Sequence, residues 1–310
     1  MFRKTGTLLT AALLGLTATI GGAGPAAAAP ADAAGGTVSV GRLILEPTER
    51  GYLDSLPVTV TNTGSETDYF YLTLREPVPG AFQDTDSRCD WFGAMEENRR
   101  VFDCSLSNNW AYLAPGESRT VTLDFHVLTT PRAYPMSMTG GRIAVSSING
   151  GLIAERSLTA LFRSTTGSLI RPRPYVQDAQ PDAAIDSVGP VTLDPEGTGR
   201  LYLPVTVRYK GDAPHVGLDI KASPLPAGSR IEYTIPSEGP VLTDHSWVPG
   251  QRMMPGEVRS FGLVITPPTD PADAQDVITL ALTTTWFPSG PDADPSDNTA
   301  QTTLAIAATS

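Results

Sequence analysis

The residues of this 310-residue chain that could do chemistry are three histidines, two cysteines and two groups of carboxylates. Nucleophilic catalysis needs a base within reach of its nucleophile and a third group to orient that base. Thr243-Asp244-His245-Ser246-Trp247 sets acid, imidazole and hydroxyl side by side. Adjacent strand residues face opposite ways, so adjacency does not assemble a triad, and a polar loop anchored by Trp247 is expected. His126 is out of phase with Val121, Leu123 and Phe125 and is expected at the surface, while His215 follows Pro214 in a turn. No Gly-x-Ser-x-Gly elbow, His-Glu-x-x-His pair or phosphate-binding glycine loop occurs. The expectation is a protein without catalytic residues and without a cofactor.

Metal chemistry has one weak candidate. Asp292, Asp294 and Asp297 cluster oxygen ligands as a calcium site would, but the spacing lacks the glycine and closing glutamate of a calcium loop. Asp-Pro and Ser-Asp-Asn are also ordinary turn chemistry. Cys89 and Cys104 have no Cys-x-x-Cys spacing and no nearby histidine, so a disulfide is expected rather than a metal site.

The stretch 82–112 holds both cysteines and gathers Phe82, Trp91, Phe92, Phe102, Trp110 and Tyr112 beside Arg88, Arg99 and Arg100. Long loops in compact domains carry function or are disordered, and a bridge opposes disorder. Aromatics and arginine dominate binding hot spots. Trp91, Phe92, Arg99, Arg100, Trp110 and Tyr112 are therefore the candidate binding residues. The competing expectation is that Trp91, Phe102 and Trp110 fill a small satellite core under the bridge.

The elements that must position these residues lie in an exported chain. Arg3 and Lys4, an uncharged apolar stretch over residues 7–23, and Gly24-Pro25 with four alanines have the layout of a secretory signal peptide, residues 1–31, cut near Ala29 or Ala31. No later stretch approaches the ~20 apolar residues of a membrane span. Leu56-Pro57-Val58-Thr59-Val60 is not a wall-sorting signal, since its fifth residue is Val. Losing Arg3 and Lys4 takes the formal charge from −11 to −13, which opposes nucleic-acid binding. A secreted protein, held at the wall only by non-covalent binding if at all, is expected.

The mature sequence reads as all-β. Arg119-Thr120-Val121-Thr122-Leu123-Asp124-Phe125 alternates with period two, and Asn149-Gly150 between two apolar runs predicts a tight hairpin with positive φ at both turn residues. The 29 glycines and 28 prolines suit a loop-rich β protein. Two motifs recur: Leu56-Pro57-Val58-Thr59-Val60 returns as Leu203-Pro204-Val205-Thr206-Val207, and Ala114-Pro115-Gly116-Glu117-Ser118-Arg119 as Met254-Pro255-Gly256-Glu257-Val258-Arg259, at offsets of 147 and 140 residues. This predicts two copies of one module, residues 36–168 and 181–310, joined by a Pro-rich linker over 169–180 around Arg171-Pro172-Arg173-Pro174.

A strand ending in Val58-Thr59-Val60-Thr61-Asn62-Thr63-Gly64, a Pro-Gly-Glu turn feeding the next strand, and a closing Asp294-Pro295-Ser296-Asp297-Asn298 turn resemble bacterial immunoglobulin-like domains of the adhesion type, in the style of a secreted actinobacterial protein. The resemblance implies two tandem antiparallel β-sandwiches used as spacer, adhesion or ligand-binding units, and it carries over no catalytic residue. Unlike antibody domains, the cysteines are only fifteen positions apart and would not join two sheets across a core. The expected function is non-enzymatic binding or spacing through the aromatic disulfide loop, with an extracellular protein or a glycan as partner. A carbohydrate-binding protein and a purely structural module are the alternatives.

Overall fold

The computed structural model describes residues 35–83, 88–106, 112–239, 241–286 and 290–306. The fold is all-β; the helical piece among these residues is the single short 3-10 segment Pro271–Gln275. Period-two burial accounts for the strands. Ser118–Val127 buries Val121, Leu123 and Phe125 and turns the intervening residues outward, and Leu201–Tyr209 buries every second residue from Leu201 to Tyr209.

Two hydrophobic cores result. The first draws on Leu43 through Tyr175. Its long strand Gly51–Asn62 pairs antiparallel with Ser118–Val127, setting Leu56 opposite Leu123 and Val58 opposite Val121. Phe70–Arg75 lies between Met136–Ser147 and Arg99–Ser105. Leu43–Thr48 joins the two layers, pairing antiparallel with Gly51–Asn62 at one end and parallel with Gly151–Phe162 at the other, so the sheet curls round its contents. The second core draws on Ala183 through Leu304. One of its sheets is built from Ala183–Val188, Leu201–Tyr209, Val258–Ile265 and Ile231–Ile235, and the other from His245–Trp247, Gly217–Ser223, Val277–Thr285 and Thr299–Thr303.

The recurring motifs occupy like positions in these two cores. Thr59 bonds the Thr120 hydroxyl at 2.7 Å, and Thr206 bonds the Ser260 hydroxyl at 2.9 Å. In the Pro-Gly-Glu turns the glutamate carboxylate accepts the amide three residues back, from Ala114 at 2.9 Å and from Met254 at 2.8 Å, and pairs with the arginine two residues on. Gly116 N donates to Asn62 O, and Gly256 N to Tyr209 O. Each strand bearing Leu-Pro-Val-Thr-Val therefore lies against the strand that its Pro-Gly-Glu turn introduces.

Three expectations need correction. The hairpin at Asn149-Gly150 exists, but Ser147 pairs with Gly151, and the positive φ of +70° falls on Gly151. The connection is a three-residue loop closed by a left-handed glycine, the form in which a bulge residue takes the strain. Second, residues 82–112 are not a loop throughout: Arg99–Ser105 is a full strand of the first sheet, with Phe102 and Cys104 in the main core rather than in a satellite. Third, the expected linker is partly built in. Arg173–Pro174 pairs in parallel with Met136–Ser147, and Tyr175 packs on Phe162 at 4.8 Å, so the first core reaches past residue 168. The segment 1–31 lies outside the described residues.

Candidate functional site

The disulfide region is a short double hairpin laid against the edge of the first sheet. Cys89–Asp90 pairs with Arg99–Ser105, setting Cys89 opposite Cys104, and the two are joined in a disulfide. The bridge thus ties neighbouring strands, as the fifteen-residue spacing suggested. Met95–Glu96 then pairs with Arg99 and Arg100 across Glu97-Asn98. These turn residues have φ of +50° and +60°, the left-handed pair of the hairpin turn that suits strand twist.

Below the hairpin, Glu76 is fully buried. Its carboxylate accepts the amides of Gly80, Phe82 and Arg100 at 3.1, 2.9 and 3.0 Å, and the Arg100 guanidinium at 2.7 Å. A buried carboxylate is tolerable only when so many donors converge on it. Arg99 is also buried, donating to the carbonyls of Thr139 and Pro77. Burial holds its guanidinium below the usual arginine range. Arg75 and Arg142 meet Glu96 and Glu97 on the outer face.

The candidate binding residues therefore separate. Arg99 and Arg100, expected to meet a partner, are spent on internal carbonyls and on Glu76. Trp91 and Phe92 form the outward tip: Trp91 is 38% exposed, with its indole N–H donating to Ala94 O at 3.0 Å, and Phe92 is 77% exposed. Tyr112 is exposed too, but it stands by the Asp68–Leu113 bridge with its ring edge-on to Tyr69. Trp110 lies outside the described residues.

Arg100 and Asn98 have a second task that the sequence did not disclose. Asn98 Oδ1 accepts the Trp286 indole N–H at 3.2 Å, and Arg100 lies over the rings of both Phe102 and Trp286. The hairpin thereby reaches the residue that follows the Val277–Thr285 strand. Asp212 works from the other side, accepting the hydroxyls of Thr129 and Tyr175 at 2.7 and 2.8 Å and the amide of Asp178 at 2.9 Å. Burial and the neighbouring Asp212 carboxylate push the Tyr175 phenol far up, so it stays a donor. Arg252 donates to His126 O, and Arg50 to Arg252 O and Glu257. Burial lowers Arg252 to about 10.

Among the described residues, the three histidines and the Asp292, Asp294 and Asp297 carboxylates each have separate partners. His245, on a short strand rather than in a loop, meets Asp244 at 3.0 Å, while Ser246 is fully buried on the opposite face and donates to Trp247 O. His126 is half-buried against Arg50 O, at the junction of the two cores rather than on a free surface. His215 is buried, with Nε2 accepting the Met253 amide at 2.9 Å. Asp292 accepts the Ala183 and Asp294 amides, Asp294 the Ser296 amide, and Asp297 pairs with Lys210, so the three aspartates serve as turn and strand anchors. Among the described residues no three metal-ligating side chains converge.

No protein-family model matches this chain, and no curated protein does. Among solved structures, it is similar to a protein of unknown function from Porphyromonas gingivalis W83, at 12% identity over 87% of this chain and 97% of the other, with a TM-score of 0.21. It is similar also to the YadV chaperone, at 8% identity over 87% and 100% of the two chains, with a TM-score of 0.22. A third is in the CsuC–CsuE chaperone–tip adhesion subunit complex of Acinetobacter baumannii, at 12% identity over 79% and 92%, with a TM-score of 0.21.

Proposed function

We propose that this is an exported, non-enzymatic contact protein made of two tandem immunoglobulin-like β-sandwiches, and that its contact surface is the aromatic tip of the disulfide hairpin. The matched bonding around the two Leu-Pro-Val-Thr-Val and Pro-Gly-Glu motifs supports a duplicated module. The observation that carries the contact surface is Phe92, 77% exposed beside Trp91 on a hairpin pinned by the disulfide and rooted in the Glu76–Arg100 pair. An apolar ring held in water on a rigid support loses little freedom on meeting a partner, which is what makes an anchor residue effective. The partner is an extracellular protein, with retention at the wall by binding alone.

A glycan is the second reading, favoured by the half-exposed indole of Trp91, whose N–H is already tied to Ala94 O while part of the ring remains open. Retention of the mature protein on wall fractions, on secreted partners and on immobilised glycans tests both. Phe92→Ala and Trp91→Ala are expected to weaken retention at least tenfold, the range of anchor residues of ~2 kcal/mol, with the melting temperature of Phe92→Ala unchanged. Retention equal to wild type removes the tip from the contact; loss of folding makes these rings packing groups. The mass of the exported protein tests export, with a start at Pro30 or Asp32 expected.

A further inference from the structure

We infer that residues 169–174, with the neighbouring Arg132, form a docking tip for an anionic lipid surface. Ile170, Arg171, Pro172, Arg173 and Pro174 are exposed in succession, and Ile170 is 78% exposed. The tip is pinned on both flanks. On one side Ser168 N donates to Ser164 Oγ at 2.8 Å, and Ile170 N to Ser168 Oγ at 3.1 Å. On the other, Arg173 N donates to Pro135 O at 3.0 Å, and Tyr175 N to Ser137 O at 2.8 Å. Between these anchors Arg171 has a φ of +53° and directly precedes Pro172. A residue with a side chain is disfavoured at positive φ, and a residue before a proline is pushed toward extended backbone. The anchors hold Arg171 against both preferences, so the exposed tip has a fixed backbone.

The charge of this tip is uncompensated. Arg132 joins it through its carbonyl, which accepts the Thr165 amide at 2.9 Å, and the Arg173 guanidinium lies over the Tyr134 ring at 4.1 Å. Among the described residues no carboxylate pairs with Arg132, Arg171 or Arg173. The carboxylates of the adjoining segments are engaged elsewhere: Glu46 holds Arg163, and Asp178 and Asp212 accept each other's amides. In a chain of 33 acidic against 22 basic side chains, three unpaired arginines around one exposed aliphatic group reverse the local sign. A partner must offer negative charge to the arginines and an apolar layer to Ile170. A soluble polyanion offers only the first. An acidic protein would need a groove shaped to a projecting tip. A bilayer with anionic headgroups meets both needs, with phosphates at its surface and acyl chains just beneath, and it yields to a projecting shape. Charges farther than ~8 Å away are largely screened at physiological salt, so the sign at the tip outweighs the acidic balance of the whole chain.

Cosedimentation of the whole mature protein with vesicles of phosphatidylglycerol and of phosphatidylcholine, at low and at high salt, tests this. Binding to phosphatidylglycerol, its release by high salt and no binding to phosphatidylcholine are expected. Arg171→Gly removes the charge and suits the positive φ, so it leaves the fold intact. It and Arg173→Gln should each weaken binding about fivefold, the equivalent of ~1 kcal/mol per cation near an anionic leaflet. Ile170→Ser should weaken it about tenfold through the lost apolar burial. Phe92→Ala should leave it unchanged, which separates this tip from the hairpin tip. No binding to phosphatidylglycerol at low salt overturns the proposal, as does full binding by the Arg171→Gly, Arg173→Gln double variant. Binding lost in Phe92→Ala alone would also overturn it, by placing the lipid on the hairpin. Binding that inorganic polyphosphate displaces and Ile170→Ser leaves intact would make a soluble polyanion the partner instead.

Discussion

At the scale of single residues, burial decides more than residue type. Arg99 and Arg100 are neighbours in sequence and look alike as surface hot-spot candidates, yet one is sealed under backbone carbonyls and the other is bound to a fully buried glutamate. Glu76, in Arg75-Glu76-Pro77-Val78-Pro79-Gly80, carried no sequence signal beyond a charge ahead of two prolines. His215 gives the residue-scale prediction. Burial lowers its pKa from 6.5 to about 4. The unfolded chain therefore takes up the proton first, and stability is full above pH ~6.5 and falls as the pH drops toward ~4, by about 3 kcal/mol across that window. Burial lowers His126 in the same direction. Urea midpoints at neutral and mildly acid pH should fall much more in the native protein than in His215→Gln, which keeps an acceptor for the Met253 amide. Equal losses would assign the acid sensitivity to other groups.

At the scale of elements, period-two patterning was a reliable guide and turn chemistry a partial one. The strands around Val121 and Val205 are buried on the faces that alternation assigns, because a half-buried strand has no other way to satisfy its side chains. The hairpin after Met136–Ser147 was legible from Asn149-Gly150, but its turn type was not, because a second glycine follows and sheet twist selected that residue for the left-handed position. Gly151→Ala should cost about 1 kcal/mol, since nothing crowds a Cβ at Gly151 and only its φ of +70° opposes a side chain. Denaturant midpoints of the native protein and this variant measure the loss; an unchanged midpoint would refute the left-handed glycine that closes the loop. The insertion was legible as a special region through its cysteines and aromatics, but its strands were not, because Arg99–Ser105 takes its register from Phe70–Arg75, far back along the chain.

At the scale of the whole molecule, the question is how the two cores are joined. Asp212 gathers Thr129, Tyr175 and Asp178 onto one carboxylate, and the Asn98–Trp286 bond closes the other side. Asp212→Ala strands the Tyr175 hydroxyl and frees the segment between the cores. Calorimetry should then show two separated transitions in this variant and one in the native protein, and solution scattering a larger maximum dimension for the variant. A single transition with unaltered dimensions would show that the junction does not depend on this residue.

The sequence by itself determined the β class, the pairing of Cys89 with Cys104 and the places where the strands alternate, since each of these follows from local periodicity or from a short separation along the chain. The tertiary structure alone decided that Arg99 and Arg100 face inward, that the expected linker is half built into the first core, and that Glu76, Asp212 and Trp286 join the parts. These depend on partners tens to nearly two hundred residues away, as with Asn98 and Trp286. A side chain's partner across such a distance is set by how sheets curl and dock, and a linear pattern of hydrophobic and polar residues does not encode it.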